Sequence, residues 1–300
     1  MTDQLSRLTT ALAGRYAIEG EVGAGGMATV YLARDVKHER NVAVKVLRPE
    51  LAAALGSERF VREIAIAAQL HHPHILPLFD SGEADGFLYY VMPYEEGQSL
   101  RDKLAAEGEL PIAEAVSLLR DIVGALVHAH QHGVVHRDIK PENIMLSDRP
   151  AILTDFGVAK AVSQASTGAK LTSVGLALGT PTYMAPEQAA GDPNVDHRAD
   201  IYAVGVVAYE LLTGTPPFDG ASAQELMAAH ITRPPEPLSS RRETIPAALE
   251  FVVLTCLQKH PRSYRSKGSS PCWCHSPRST TVPSVVFPLR AVIDEAFPFI

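Results

Sequence analysis

Two short segments of this chain carry side chains suited to phosphoryl transfer. Residues 136–143 read His-Arg-Asp-Ile-Lys-Pro-Glu-Asn, and residues 155–157 read Asp-Phe-Gly. Asp138 can take a proton from a hydroxyl, and Lys140 can hold a transferring phosphoryl group. Phosphoryl transfer depends on placed charge and metal rather than on covalent chemistry, so these segments indicate that reaction. Two further side chains offer oxygen ligands of the kind that Mg²⁺ prefers: Asn143 and Asp155.

A glycine-rich stretch near the N-terminus is a candidate phosphate-binding turn. Residues 22–30 read Val-Gly-Ala-Gly-Gly-Met-Ala-Thr-Val and lie between two predicted strands. Glycines let backbone N–H groups approach phosphates closely, because no Cβ stands in the way. A glycine cluster is also typical of an ordinary hairpin turn, so both interpretations stay open on this stretch alone.

A lysine inside an apolar run follows that turn. Residues 42–45 read Val-Ala-Val-Lys, and Lys45 would need a buried partner if its side chain turned inward. Glu63, in the next predicted helix, is the candidate partner. Taken singly, Lys45 also fits a solvated strand lysine, and Glu63 is far more often a solvent-facing helix residue. Their order along the chain favours the paired arrangement.

The elements predicted around these residues form a β-rich block followed by a helical block. Gly-punctuated β-rich runs between Tyr16 and Val46 predict strands, and helical spacing predicts a helix over 57–70 with Ser57 as its N-cap. Two more strands are predicted at 75–79 and 87–92, before a linker at 95–99. Helices are predicted at 111–132, 201–212 and 223–230.

Together these motifs resemble the bacterial Hanks-type serine/threonine protein kinases. The resemblance covers about 16–261, including the run His-Pro-His-Ile-Leu at 72–76 and Gly-Thr-Pro-Thr-Tyr-Met-Ala-Pro-Glu at 179–187. It implies an α+β, two-lobed protein kinase-like fold, with an antiparallel β-rich N-lobe holding one main helix and a mainly helical C-lobe. The implied division is an N-terminal extension (1–15), the N-lobe (16–95), the C-lobe (96–261) and an atypical tail (262–300).

The resemblance implies a role for each catalytic residue. Asp138 is the base, Lys140 assists the phosphoryl group, and Thr180 bonds to both. Lys45, paired with Glu63, holds the α and β phosphates of ATP. Lysine two positions after the base is the serine/threonine form of the loop, so the implied activity is that of a non-specific serine/threonine protein kinase. The implied ligands of Mg²⁺ or Mn²⁺ are Asn143 and Asp155.

An ATP site is implied along the cleft between the lobes. Met92 is the expected gatekeeper, the carbonyl of Pro93 accepts from the adenine amino group, and the amide of Glu95 donates. Proline lacks an N–H but keeps that carbonyl. Plain core packing remains the alternative for the apolar members. The full expected set is Val22, Gly23, Ala24, Gly25, Gly26, Met27, Ala28, Val30, Ala43, Lys45, Met92, Pro93, Glu95 and Met145, with Ala28 where the family often has a third glycine.

The segment between Asp155 and Glu187 is rich in hydroxyls, as expected of a loop activated by autophosphorylation. Arg137 is the cation that can pair with a phosphate there and order the loop. Asp200 resembles the buried aspartate that braces the catalytic loop. The resemblance also allows self-association for autophosphorylation in trans. The candidate phosphorylation sites are Thr172, Ser173 and Thr167.

Composition excludes several other classes. The net charge of −7 argues against a nucleic-acid partner. Three cysteines cannot build a disulfide framework for 300 residues. We find no signal peptide or membrane segment in the sequence. We therefore expect a cytoplasmic protein whose partners are proteins bearing Ser or Thr.

The last residues differ in character from the rest. Five basic residues against two acidic ones reverse the sign of the charge in 262–300, and Pro, Ser and Cys are concentrated there. We expect this tail to be disordered or frame-shifted, leaving Glu187 without the arginine that the family pairs with it. Two alternatives stay open: a pseudokinase-type binding scaffold, if the tail disables the fold, and a small-molecule phosphotransferase. Pseudokinases typically lack residues that are present here, and phosphotransferases normally lack the segment at 179–187.

Overall fold

A five-stranded antiparallel sheet forms the N-lobe. The computed structural model describes residues 2–147, 150–156 and 181–259. The strands stand in the order β1-β2-β3-β5-β4. Ala43 pairs with Met92 and Lys45 with Tyr90 across β3 and β5. Their bounds are β1 (Tyr16–Ala24), β2 (Ala28–Asp35), β3 (Arg40–Leu47), β4 (Asp80–Ala84) and β5 (Phe87–Pro93).

Helices cover both faces of this sheet. Helix α1 (Thr2–Leu12) packs Leu8 and Leu12 on one face, against the side chains of Val42, Val44 and Val46. Helices α2 (Pro49–Leu55) and α3 (Ser57–Ala67) pack on the other, where Ala43 and Leu47 point. Successive strand residues face opposite sides. Burial on both sides explains why β3 reads as a continuous apolar run.

The C-lobe is mainly helical. A small sheet of β6 (Gln98–Ser99), β7 (Ile144–Leu146) and β8 (Ile152–Leu153) lies beside its helices. Helix α7 (Arg198–Thr213) is buried on all sides from Ala199 to Leu212, as expected of a central helix. The other helices are α4 (Leu100–Glu107), α5 (Ile112–Gln131), α6 (Pro186–Ala189), α8 (Ala223–Thr232) and α9 (Ala247–Cys256).

The two lobes are joined by backbone hydrogen bonds as well as by the chain. Leu76 N donates to the Leu153 carbonyl and Leu153 N donates to the His74 carbonyl, each at 2.9 Å. Ile152 of β8 belongs to the apolar cluster of the N-lobe. The segment 74–76 is therefore anchored to β8, two residues before Asp155.

The expected two-lobed α+β fold is confirmed, with local differences. The strand predicted at 75–79 is wrong: only Ile75 forms a bridge there, and β4 begins at Asp80. Leu76 N donates to Leu153 of β8 but Phe79 N donates to Val91 of β5, so the segment follows no single strand, and Pro77 has no N–H to donate. The helix predicted at 57–70 ends at Ala67, and its N-cap is Gly56 rather than Ser57.

The sequence analysis did not predict five of the helices in the described residues: α1, α2, α4, α6 and α9. Helix α2 has Pro49 in its first turn, a position that suits proline. Helix α1 falls within the stretch expected to be an extension, yet Leu8 and Leu12 are almost fully buried. Residues 2–12 therefore pack as part of the N-lobe. Within the described ranges, no helix is long and apolar enough to cross a membrane.

Candidate active site

A fully buried aspartate holds the backbone of the catalytic loop. Asp200, in the first turn of α7, accepts hydrogen bonds from the backbone N–H groups of His136 (2.9 Å) and Arg137 (2.7 Å). His130 Nε2 donates to the same carboxylate at 2.8 Å. Burial raises the pKa of Asp200, but the hydrogen bond and charge of His130 outweigh it and lower the pKa. The charge is thus retained where it fixes the loop, as expected from the sequence.

The loop backbone is held in a conformation that side chains rarely adopt. Arg137 has φ of 70°, in the left-handed region. Gln188 Nε2 donates to the Arg137 carbonyl at 2.9 Å, and His136 Nε2 donates to the Thr154 carbonyl at 2.8 Å. The ring of Phe156 packs edge-on against His136, with centroids 4.6 Å apart. These contacts over-determine the loop that carries Asp138.

Asp138, Lys140 and Asn143 form one hydrogen-bonded group. Lys140 Nζ donates to Asp138 Oδ2 at 2.7 Å. Asn143 Nδ2 donates to the Asp138 carbonyl at 2.8 Å and to Asp138 Oδ2 at 3.1 Å. Asn143 is buried in the 3₁₀ turn Pro141–Asn143, whereas the Asp138 side chain is 30% exposed. A carboxylate is therefore held at the surface with a cation beside it.

Asp155 is the second buried carboxylate of the site. It sits at φ of 68°, and its Oδ1 accepts from the Tyr90 hydroxyl at 2.7 Å. Its Oδ2 is paired with Lys45 Nζ. Burial raises the pKa of Asp155, but the charge and hydrogen bond of Lys45, helped by Tyr90, outweigh it and lower the pKa. Lys45 faces this carboxylate because it lies on the inner face of β3.

The expected pairing of Lys45 with Glu63 is not the ion pair that Lys45 makes in this arrangement. Within the described residues the ion pair of Lys45 is with Asp155. A carboxylate that is largely removed from water is costly without a cation, and the 13% exposed carboxylate of Asp155 pairs with the lysine of β3. Glu63 is also buried, at 5% exposed, and its charge acts on Arg137. Burial lowers the pKa of Arg137, while Asp200, Glu63 and Asp196 partly offset that shift.

The glycine-rich turn joins β1 to β2 as expected. Gly25 N donates to the Ala28 carbonyl at 2.8 Å and closes the turn. A Cβ added at Gly23 or Gly26 would meet no atom within 4 Å, so these backbones border open space. Met27 packs on the N-lobe core, while Val22 is 48% exposed. This open, side-chain-free turn fits a group of phosphates.

The residues expected around adenine line the junction between the lobes. Val30, Ala43 and Met92 belong to or pack on the same apolar cluster as Ile152, and Met145 lies beside Ile152 in the β7–β8 ladder. Pro93 ends β5 opposite Val42, and Glu95 is half-buried in the connection that follows. Gly97, at φ of 154°, lies so close to the Leu146 carbonyl that a Cβ would be 2.2 Å from it. Apolar side chains next to the backbone groups of residues 93–95 fit the flat ring and polar edge of a purine.

The donor set also fits a hard divalent cation. Asp155 supplies carboxylate oxygens, and Asn143 supplies an amide oxygen because its NH₂ group is bonded to Asp138. Mg²⁺ commonly takes one or two protein oxygens and completes its shell with phosphates and water. In the described part of the chain, no cluster of three or more His, Cys, Asp or Glu is arranged to hold a metal.

Some expected residues lie outside the described residues. They are Gly157, Thr180, the phosphorylation candidates Thr167, Thr172 and Ser173, and the tail 262–300. Glu187 is described, and within the described ranges it makes no ion pair. Burial, reinforced by the charge of Asp196, raises the pKa of Glu187.

Two contributors to the site were not singled out from the sequence. Tyr90 pairs with Lys45 across β3 and β5, on the face that meets Asp155. Burial, and then the charges of Asp155 and Asp138, raise the pKa of the Tyr90 hydroxyl. A strand register would have found it, since Lys45 and Tyr90 share one face. Arg101 is the second, and its contacts link the catalytic loop to residues 181–183.

The fold and this site together define a protein kinase. A family model described as "Protein kinase domain" matches residues 16–267. The chain therefore belongs to the protein kinase family. This agrees with the resemblance stated from the motifs, including its bacterial serine/threonine subclass, as the relatives below indicate.

Similar curated proteins are bacterial serine/threonine-protein kinases. PknB of Mycobacterium leprae is 43% identical over 258 residues, covering 84% of this chain and 41% of PknB. PrkC of Bacillus subtilis is 40% identical over 252 residues, covering 83% of this chain and 38% of PrkC. The chain thus spans about two fifths of the length of these relatives.

Solved structures show the same architecture. The kinase domain of Mycobacterium tuberculosis PknI is 32% identical, with a TM-score of 0.67 and coverage of 93% of both chains. A second structure of that domain gives 30% identity and a TM-score of 0.68, covering 94% of both chains.

Proposed function

We propose that this chain transfers the γ-phosphoryl group of Mg-ATP to serine or threonine hydroxyls of proteins. One observation carries the proposal: Asp138 is hydrogen-bonded to Lys140 and Asn143, close enough to Asp155 that the charges of both carboxylates raise the pKa of the Tyr90 hydroxyl. Two carboxylates, a cation and an amide therefore converge at the lobe junction. The names of the similar PknB and PrkC proteins support the serine/threonine class.

Each residue of this group has a task that its contacts allow. Asp138 accepts the proton of the substrate hydroxyl, since its carboxylate is partly exposed and oriented by Asn143. Lys140 places a positive charge beside the same oxygen. Asn143 and Asp155 would hold Mg²⁺ or Mn²⁺. When bound, that ion neutralises charge on the phosphates.

Lys45 has to change partners for this reaction. Its ion pair with Asp155 occupies the carboxylate that the metal requires. In the proposed active arrangement Lys45 turns to the α and β phosphates, and Glu63 steadies it. Thr180 completes the group by bonding to Asp138 and Lys140. The phosphates themselves rest under the backbone of the glycine-rich turn.

Activation by autophosphorylation is part of the proposal. A phosphate on Thr172, Ser173 or Thr167 would offer Arg137 a doubly charged partner, and Arg137 is already placed beside the base by Asp200. The reaction in trans requires only transient self-association. A pseudokinase scaffold is not favoured, because Lys45, Asp138, Asn143 and Asp155 are all present.

The test is incubation of the full chain with γ-labelled ATP and Mg²⁺, followed by mass spectrometric mapping of phosphosites. We expect label on Thr172, Ser173 or Thr167. Asp138→Asn should lower the rate by about a hundredfold or more, since general-base catalysis contributes that much. Asp219→Asn is the matched control, because the Asp219 side chain is 98% exposed and its ion pair within the described residues is with Arg233. Undiminished labelling of Asp138→Asn would reject the assignment of the base.

A further inference from the structure

One arginine outside the catalytic group contacts three separate elements. Arg101 Nε donates to Glu142 Oε1 at 2.9 Å, and Arg101 Nη1 donates to Glu210 Oε1 at 2.8 Å. Arg101 Nη2 is bonded to the Tyr183 hydroxyl, and that hydroxyl donates in turn to Glu210 Oε2. Four side chains thus form a closed network centred on one guanidinium.

The start of α4 fixes where this guanidinium lies. Ser99 caps the helix: its Oγ accepts from Asp102 N at 3.2 Å, and Asp102 accepts from Ser99 N at 2.9 Å. Arg101 lies between these two residues, in the first helical turn. A planar guanidinium donates in several directions at once, whereas an ammonium is a single point of charge. Only arginine suits three acceptors on different sides.

The partners of Arg101 lie on both sides of the reaction centre. Glu142 lies in the 3₁₀ turn between Lys140 and Asn143. Tyr183 ends the 3₁₀ turn Pro181–Tyr183, which follows directly after Thr180. Glu210 belongs to α7, the helix that also carries Asp200. The network therefore connects the loop that carries Asp138 to the turn Pro181–Tyr183.

Contacts within the network favour a charged Arg101 and a neutral Tyr183. Burial lowers the pKa of Arg101, but the hydrogen bonds and charges of Glu210, Tyr183 and Glu142 outweigh it and raise the pKa. Burial, followed by the charge of Glu210, raises the pKa of the Tyr183 hydroxyl. Glu210 is only 6% exposed, so loss of Arg101 would leave a buried carboxylate facing Tyr183 alone. Tyr183 would then have to move.

Resting on the proposed function, we propose that Arg101 is a positioning residue for protein substrates. It holds the turn Pro181–Tyr183 at a fixed distance from the loop that carries Asp138. The surface between this turn and the loop is where a substrate segment must bind to reach Asp138. Among the described residues the hydrogen bonds of this arginine go to Glu142, Glu210 and Tyr183, none of which belongs to the glycine-rich turn or to the adenine-lining set. Its loss should therefore weaken use of the protein substrate and spare that of ATP.

The experiment measures KM and kcat separately for ATP and for a protein substrate. The substrate is the full chain carrying Asp138→Asn, which supplies its own hydroxyl-rich segment without activity of its own. For Arg101→Met we expect kcat/KM for this substrate to fall about 100-fold, as small misplacements near a reacting centre can do. KM for ATP should stay within about twofold of wild type. Arg101→Lys should be intermediate, since it keeps the charge but loses the fork.

Two further variants separate positioning from folding. Lys103→Met is the matched control: Lys103 lies on the same helix and also pairs with two carboxylates, Glu107 and Glu114. It should behave as wild type. Glu142→Gln cuts only the catalytic-loop end and leaves the buried pair with Glu210 intact; it should lower kcat/KM about tenfold. If Arg101→Met does not fold, Glu142→Gln decides the question.

The outcomes are distinct. Because both changes break one contact, adding Glu142→Gln to Arg101→Met should cause little further loss. Wild-type kinetics toward the protein substrate in Glu142→Gln and Arg101→Lys would overturn the positioning role. So would an equal loss for ATP and substrate. An inactive wild type would instead overturn the proposed function itself, on which this role depends.

Discussion

At the scale of single residues, burial decides which charges the molecule keeps. Asp200 is fully buried and the Asp155 side chain is only 13% exposed, yet both have lowered pKa values because cations and hydrogen-bond donors surround them. His230 shows the opposite case. It is fully buried against Tyr202 and Phe218, and burial, followed by the charge of Lys259, lowers its pKa to about 4. The folded protein therefore keeps His230 neutral.

His230 should make folding stability depend on pH. Its pKa in the unfolded chain is near 6.5, above the folded value of about 4. The unfolded state therefore binds more protons below pH 6.5, and stability falls as the pH drops through that window. Between pH 7 and pH 5 the loss from this group is about 2 kcal/mol. Lys259, with its pKa lowered to about 8, titrates above this window.

Urea unfolding at pH 7 and pH 5 measures this effect. His230→Phe cannot take up the proton, so its loss of stability on acidification should be smaller than that of wild type by about 2 kcal/mol. His71→Phe is the control, because His71 is exposed. An identical pH dependence in wild type and His230→Phe would contradict the prediction.

The local part of the site was predictable and the distant part was not. Asp138, Lys140 and Asn143 lie within six positions, so sequence spacing alone brings them together. Lys45 and Asp155 are 110 positions apart, and the choice between Asp155 and Glu63 as partner depends on tertiary packing. Arg101 and Glu210 are similarly distant, at 109 positions. No local pattern marks such a pair.

At the scale of elements, periodic patterns predicted four of the nine helices in the described residues (α3, α5, α7 and α8), while a segment bonded to the other lobe was misread. The pattern over 111–132 corresponds to α5, whose apolar side is buried. The segment 75–79 is apolar enough for a strand, but Leu76 N donates to Leu153 of β8 in the C-lobe, whereas Phe79 N donates to Val91 of β5. Helix α1 was missed because its apolar residues are few. Its burial depends on contacts with the sheet, which are distant in sequence and leave no local pattern.

Removal of one α1 side chain tests how much this helix stabilises the N-lobe. Leu8 is 1% exposed and packs in the cluster with Leu12, Val44 and Val91. Leu8→Ala should lower the free energy of unfolding by about 2–5 kcal/mol, from lost burial and the cavity left behind. Leu5→Ala is the control, because Leu5 is 37% exposed, and its effect should stay within about 0.5 kcal/mol. Urea denaturation of both variants gives the comparison.

Equal stabilities of Leu8→Ala and wild type would mean that α1 is not bound to the sheet in solution. The Arg7–Asp85 and Arg15–Asp80 ion pairs are largely exposed and add little. The apolar contact is therefore the informative one.

At the scale of the whole molecule, a ligand that binds between the lobes should stabilise both. Ligand at 100 times its dissociation constant adds about 2.7 kcal/mol to the folded state. We expect Mg-ATP to raise the melting temperature, and EDTA to remove most of the increase. Asp155→Asn should lose the part that depends on Mg²⁺, since an amide does not offer the carboxylate charge. Thermal unfolding with each nucleotide and metal combination measures this.

Asp219→Asn is the control for that series, because the Asp219 side chain is 98% exposed and belongs to neither the glycine-rich turn nor the group around Asp138. It should respond to Mg-ATP as wild type does. A magnesium-dependent shift retained in Asp155→Asn would place the metal elsewhere.

The hydrogen bonds between residues 74–76 and Leu153 offer a point about which the N-lobe could rotate relative to the C-lobe. If the N-lobe rotated on the C-lobe about this point, Asp155, two residues beyond Leu153, would stay nearly in place. In the sheet order, β1 is four strands away from β4, roughly 19 Å at the usual strand spacing. A rotation of about 10° would then sweep the glycine-rich turn through roughly 3 Å while Asp155 hardly moves. Such a rotation would therefore move the turn proposed to cover the phosphates, while the proposed metal ligand Asp155 would keep its place beside Asp138.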